Sequence, residues 1–178
     1  MNEVVHYQNE EKYALITLKN GKVNAISHEV IDGFNAALDK AEQDCKVVVL
    51  TGQPGVFSAG FDLKTMTKSA DSAKELVTKG SELSLRMLSF PMPIIIACSG
   101  HAIAKGAFMF LYADYGIGVK GDFKIGLNEV MIGMTMHHAG IETARARLAP
   151  VFFERSVNNS EIYTPKNAVS AGFLDAIV

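Results

Sequence analysis

Two glycine-bearing apolar segments and one glutamate carry most of the chemical information in this chain of 178 residues. The first segment is Gly55-Val56-Phe57-Ser58-Ala59-Gly60-Phe61-Asp62-Leu63. The second is Ser99-Gly100-His101-Ala102-Ile103-Ala104-Lys105-Gly106-Ala107. Each follows a strand-like apolar run, Val47 to Leu50 and Ile94 to Cys98, and each can aim a free backbone N–H into a cavity. Two N–H groups converging on one point form an oxyanion hole, which stabilises negative charge developing on a carbonyl oxygen. Glu129, in Ile125-Gly126-Leu127-Asn128-Glu129, is the candidate base beside it. That arrangement reads as an enzyme acting on an activated carbonyl, whose α-proton is too weakly acidic for a carboxylate to remove unaided, so the base and the hole are needed together. Burial of Glu129 would raise its pKa and make it a more effective base.

Each of these residues also admits a plainer reading. Glu129 fits the first turn of a helix behind an Asn128 cap, and either Gly60 or Gly106 alone would be an ordinary turn glycine. Asp62 and Asp114 read more naturally as caps than as acids, Phe57 and Phe61 as packing side chains, and His101 as a turn histidine. His137-His138 admits an acid/base role, a ligand contact or a surface pair. A metal site there is disfavoured, because adjacent histidines point apart on a regular element. Lys22, Lys64 and Lys68 are available to phosphates but equally suit solvent. No Gly-x-Ser-x-Gly elbow occurs, which argues against a serine hydrolase.

The chain is long enough for one domain with a real core. It is 48% hydrophobic and 20% charged, as expected of a globular fold. A net charge of −2 without runs of like charge lacks the basic footprint of a nucleic-acid binder. Cys45 and Cys98 form neither a metal-like spacing nor a disulfide framework, which points to a reducing cytoplasm. The N-terminus lacks a signal-peptide pattern. Met87 to Ala104 is free of charge, but Pro91, Pro93, Ser99 and Gly100 interrupt it, so it reads as a buried strand plus a loop and not as a membrane span.

The elements that must position these groups alternate. Tyr13 to Leu18 reads as a strand ending at the Asn20-Gly21 turn. Val30, Ile31, Phe34, Leu38 and Ala41 recur at helical spacing behind a Ser27 cap. Lys46 to Thr51 is the nearly all-apolar strand of a parallel sheet. Lys64 to Ser72 reads as a mobile polar segment, followed by a helix with Ala73, Leu76, Val77, Gly80, Leu83, Met87 and Leu88 on one stripe. Ile94 to Cys98 is the next strand, Ala104 to Tyr112 a central apolar helix, and Tyr115 to Val119 a further strand. Thr164-Pro165 starts a last helix, Gly172 ends it, and Phe173 to Val178 is the expected final strand. The alternation indicates an α/β fold without a domain boundary.

In this order and spacing, Val23-Asn24-Ala25, Phe57 to Leu63, the loop from Gly100 to Gly106, Ala113-Asp114 and Gly172-Phe173-Leu174-Asp175 resemble the crotonase superfamily, also called the enoyl-CoA hydratase/isomerase family. The resemblance runs from the N-terminal strand to the end of the sequence. It implies a spiral of ββα units forming a single core domain over residues 1–178 that binds an acyl-CoA thioester. Coenzyme A then enters as part of the substrate, with no separate cofactor, metal, nucleic acid or membrane partner. The backbone N–H groups of Phe61 and Lys105 become the implied oxyanion donors, Lys105 lying where the family more often has the middle of three glycines. Val23, Ala25, Ser58, Ala59, Gly60, Asp62, Leu63 and Gly106 become the implied substrate-binding set.

Hydratases of the family use two glutamates. The first position is Phe108 here and the second is Glu129, whose surrounding stretch is similar to that of Δ3,Δ2-enoyl-CoA isomerases, which work with one. The resemblance therefore implies an isomerase of fatty acid metabolism that shifts a double bond from 3-enoyl-CoA to 2-enoyl-CoA. The alternatives are a hydratase or dehydratase (a lyase) using His137 or His138, and a silent acyl-CoA-binding protein. Trimers or pairs of trimers are implied. The helices with which the family continues past Gly172 to Val178 are expected to be absent.

Overall fold

A computed structural model describes residues 4–44 and 46–178. Ten strands and seven helices follow one another as β1 (Val5–Asn9), β2 (Tyr13–Leu18), α1 (His28–Gln43), β3 (Val47–Thr51), β4 (Gly55–Ser58), α2 (Leu63–Lys68), α3 (Ala70–Leu88), β5 (Ile94–Cys98), β6 (Gly100–Ile103), α4 (Lys105–Leu111), β7 (Tyr115–Gly118), β8 (Ile125–Gly126), α5 (His138–Arg147), α6 (Pro150–Val157), β9 (Ile162–Tyr163), α7 (Pro165–Ala171) and β10 (Ala176–Ile177). The larger sheet runs β1-β2-β3-β5-β7-β10 and the smaller one β4-β6-β8-β9. Among the described strand pairs, only β1–β2 and β8–β9 are antiparallel. Three consecutive turns of chain place one strand in the large sheet and the next in the small one before a helix: β3-β4-α2, β5-β6-α4 and β7-β8-α5.

The parallel strands are short and rich in β-branched residues because both faces are covered. Val48, Leu50, Ile94, Ile96 and Cys98 are buried. The α1 stripe closes one side by burying Val30, Ile31, Phe34, Leu38 and Ala41, with the Ser27 hydroxyl accepting the Val30 N–H at 3.3 Å. Each such large apolar side chain contributes about 1.5–3 kcal/mol on burial. Gly172 adopts the left-handed conformation at the end of α7, with φ of 96°.

The structure departs from the sequence expectation in three places. Lys64 to Ser72 is helical on both sides of Ser69, because Asp62 Oδ2 caps α2 through Thr65 N–H and Ser69 Oγ caps α3 through Ser72 N–H. The two glycine segments are partly strand, since β4 and β6 pair in parallel with each other. The terminal strand covers only Ala176–Ile177, as Phe173 and Leu174 pack into the core. Cys98 is a buried free thiol pushed up to about 11 by burial, whereas Cys45 and the first residues lie outside the described ones.

Candidate active site

The parallel pairing of β4 with β6 matches Gly55 with Gly100, Val56 with His101 and Ser58 with Ala102, with a bulge between Val56 and Ser58. Past β4 the chain turns at Gly60, whose φ is 99°. Past β6 it turns at Ala104, whose φ of 53° and ψ of −126° lie outside the usual regions for an L-residue, and α4 starts at Lys105. The two turns touch. A Cβ on Gly60 would lie 2.9 Å from Ala104 Cβ and 3.3 Å from Lys105 N, and one on Gly106 would lie 2.3 Å from Ser58 O. This close approach accounts for glycine at both positions. The Phe61 N–H follows directly on Gly60, and among the described residues neither it nor the Lys105 N–H has a hydrogen-bond acceptor. Two adjacent unsatisfied amides can hold an anionic oxygen.

They border a cavity of about 220 Å³ whose apolar walls include Met66, Val77, Phe108, Ile132 and Met134. Ala59, Phe61, Leu63, Ala104, Lys105 and Glu129 line it as well. Glu129 precedes a 3-10 turn, Val130–Ile132, and no side-chain cap holds that turn. Its Oε2 is buried without a hydrogen bond, as is Asn128 Oδ1. Burial pushes the Glu129 carboxyl up to about 7, against the opposing pull of its own backbone amide and of Lys105. A carboxylate held this way is able to serve as a base near neutrality.

The two histidines diverge. His137 lines the cavity, its ring edge-on to Phe108 with centroids 5.7 Å apart, and burial followed by the charge of Lys105 lowers its pKa. His138 is exposed at the start of α5. His101 lies elsewhere, accepting the Lys124 N–H at Nδ1 and standing edge-on to Phe123. Asp114 receives the Ile94 N–H.

Most of the remaining sequence candidates support the two turns. Ser58 is fully buried, its hydroxyl donating to Asn24 O at 2.8 Å and accepting the Gly60 N–H, so its side chain holds the turn and is closed to a ligand. Gly106 is buried against it. Asp62 caps α2. Val23 is 47% exposed and its carbonyl accepts the Ala59 N–H, while Ala25 O accepts from Asn20 Nδ2; neither lines the cavity. Leu63, 67% exposed, sits at the rim.

Sequence reasoning missed two groups. Asn24, fully buried, sends Nδ2 to Leu18 O, Val56 O and Phe57 O, while its Oδ1 receives the Asn20 N–H and Gln53 Nε2. The second is the Lys105 side chain, only 4% exposed. Its Nζ donates to Gly80 O at 2.8 Å and to Ser84 Oγ, and lies 5.1 Å from the Tyr112 ring centroid and 5.8 Å from that of Phe61. Burial lowers its pKa to about 7, with Glu129 pulling the other way. Nothing at Lys105 itself signals this. The only trace is the small pair Gly80 and Ser84, one turn apart on α3.

The fold and the site together define a class. The profile of the enoyl-CoA hydratase/isomerase family matches residues 8–178, and the chain belongs to that family, with the crotonase fold. A solved enoyl-CoA hydratase/isomerase family protein from Pseudomonas syringae is 60% identical and superposes with a TM-score of 0.98 over 99% of this chain and 77% of that one. The mitochondrial enoyl-CoA delta isomerase 1 of Rattus norvegicus is 31% identical over 98% of this chain and 62% of its own length. A probable enoyl-CoA hydratase of Bacillus subtilis is 28% identical over 90% of this chain and 64% of its own. The chain thus spans a little under two thirds of the length of these two curated relatives. Among the described residues no helix is long and apolar enough to cross a membrane, and no three His, Cys, Asp or Glu side chains are grouped to hold a metal ion.

Proposed function

We propose that this protein acts on acyl-CoA thioesters and moves a double bond from the 3- to the 2-position of an enoyl-CoA. The thioester oxygen accepts hydrogen bonds from the Phe61 and Lys105 N–H groups. Glu129 takes a proton from C2, the C2–H electron pair delocalises into a dienolate whose charge rests on that oxygen, and Glu129 returns the proton at C4. The supporting observation is that Glu129, the one carboxylate among the described residues lining the cavity, has a buried oxygen without a partner and shares the cavity with the apolar Phe108. One carboxylate suffices for a proton shuttle. Adding water needs a second group to position it, and Phe108 has none to offer. Val23, Ala25, Ala59, Gly60, Asp62 and Leu63 belong to the segments that would flank the coenzyme A moiety. By family analogy, the active form is a trimer or a pair of trimers.

A second reading, hydration, is favoured by one observation: His137 lines the same cavity and has a lowered pKa, so it is neutral and able to accept a proton from water. Assays with trans-3-hexenoyl-CoA and, separately, crotonyl-CoA distinguish the two. Isomerisation without hydration, lost in Glu129→Gln, is the expected result. Hydration of crotonyl-CoA that is lost in His137→Ala would replace the isomerase reading. Binding of acyl-CoA without turnover of either substrate would instead make the protein a silent binder.

A further inference from the structure

A lysine ammonium is seldom enclosed in an apolar site unless something there calls for its charge. Lys105 is enclosed on every side. Its backbone N–H is one of the two amides without an acceptor at residues that line the cavity, and its ammonium lies near the Phe61 and Tyr112 rings. The ammonium is moored to α3 through Gly80 O and Ser84 Oγ. Ser84 Oγ also donates to Gly80 O at 2.9 Å, so the hydroxyl is oriented with its lone pairs towards Nζ. No Glu129 oxygen lies within ion-pair distance of Nζ among the described residues, so the two charges act on each other through space.

Building on the thioester-enolate reading above, we infer that the Lys105 ammonium is a fixed counter-charge for the travelling negative charge of the reaction. Before proton transfer that charge is on Glu129. After the C2–H bond breaks and the Glu129 O–H bond forms, it is on the dienolate oxygen at the Lys105 amide. The ammonium is tied to a helix and cannot follow either partner, and the cavity stays neutral throughout, with one cation opposite one anion at each stage. In a site of low dielectric, a preorganised charge of this kind stabilises the transition state without reorganisation. Lys105 is in this sense a positioning and electrostatic residue in addition to an amide donor.

The titratable groups around it are few. Glu129 and His137 line the same cavity and act on its charge, and Tyr112, the C-cap of α4, lies against it. On α3, Lys74, Glu75 and Glu82 are exposed, Lys79 pairs with Glu75 at the surface, and Arg86 turns towards Asp39 and Asn35 of α1. On α2, Lys64 and Lys68 are exposed, while Asp62 is occupied as its cap. The active protonation state is Glu129 ionised with Lys105 charged, and burial brings both groups towards neutrality. The kcat/KM profile is therefore expected to be a narrow bell near pH 7, with limbs that belong to the pair.

The test uses the full chain with trans-3-hexenoyl-CoA. Lys105→Met is expected to lose on the order of tenfold or more in kcat, to lose the alkaline limb, and to move the acid limb to higher pH. Ser84→Ala keeps the charge but weakens its mooring, so it should move the alkaline limb to lower pH. An alkaline limb unchanged in both variants overturns the inference. A measurement that does not need a folded Lys105 variant is the titration of lysines labelled with 13C at Cε. In the wild type one lysine should titrate far below the others, and Glu129→Gln should lower it further. If no lysine moves in Glu129→Gln, the counter-charge is refuted even where isomerisation is observed. If the coupling is present but no 3-enoyl-CoA is turned over, the counter-charge stands and the isomerase reading fails.

Discussion

Glu129→Gln should stabilise the fold at alkaline pH while removing turnover. In the unfolded chain this carboxyl ionises near its ordinary 4.5, and in the fold at about 7. A folded pKa raised in this way means that the folded state holds its proton through that window and the unfolded state does not. The stability associated with the group is present below about 4.5, declines as pH rises, and is fully lost above about 7. At roughly 1.36 kcal/mol per pH unit, the whole shift corresponds to ~3 kcal/mol. Discounted for partial solvent screening, it is about 2 kcal/mol, with the attraction of Lys105 already contained in the shift. Gln carries no charge, so the variant escapes the cost. Its amide has an unsatisfied polar group of its own, costing about 1 kcal/mol at every pH, so the informative quantity is a difference between two pH values. For a chain of this size, 1 kcal/mol moves Tm by about 2–4 °C. The Tm offset of Glu129→Gln from wild type should therefore become about 4–8 °C more favourable between pH 4.5 and pH 8. An offset that is the same at both pH values would refute the reasoning, because the Glu129 carboxyl would then be solvated and unperturbed.

Two other perturbations test the scaffold. Asn24→Ala removes the side-chain partner of the Leu18 and Phe57 carbonyls and of the Asn20 N–H, while Val56 O keeps the Ser99 hydroxyl; a loss of about 3 kcal/mol is expected in chemical denaturation, as several groups lose a hydrogen bond together. Gly80→Ala should gain about 1 kcal/mol of intrinsic helix propensity, but its Cβ would fall 2.5 Å from the Phe61 ring. The ring and the adjacent amide must shift, so kcat should fall several-fold while Tm, followed by circular dichroism, changes by only a few degrees.

What could be read from sequence were the elements with a strong local period. The α1 stripe, the β-branched runs of β2, β3 and β5, and the proline-to-glycine frame of α7 all appear near their expected places. Elements defined by distant partners were hidden. The strands β4 and β6 are short and rich in glycine, so their parallel pairing looks like loop until the register is known. The six-residue helix α2 buries none of its side chains fully, which is why it reads as a polar segment. Phe61, Lys105 and Glu129 were legible as a chemical set, and they border one cavity. The enclosure of the Lys105 ammonium was not legible, because its acceptors on α3 become neighbours only when the helix docks. Nor could the sequence separate His137 from His138, since a single residue of phase at the start of α5 decides which one faces inward.

The pairing of Gly55 with Gly100, together with the Asn24 contacts to Val56 and Phe57, has a consequence for how the molecule matures. The amides of Phe61 and Lys105 are brought together by contacts between parts of the chain that are remote in sequence. The cost of closing those long loops must be met before the contacts form. Local helix such as α1 can be acquired early, while the paired amides exist only once the small sheet has closed on the segment around Asn24. Recovery of turnover during refolding should thus lag behind recovery of helical signal, which makes activity a reporter of completed assembly.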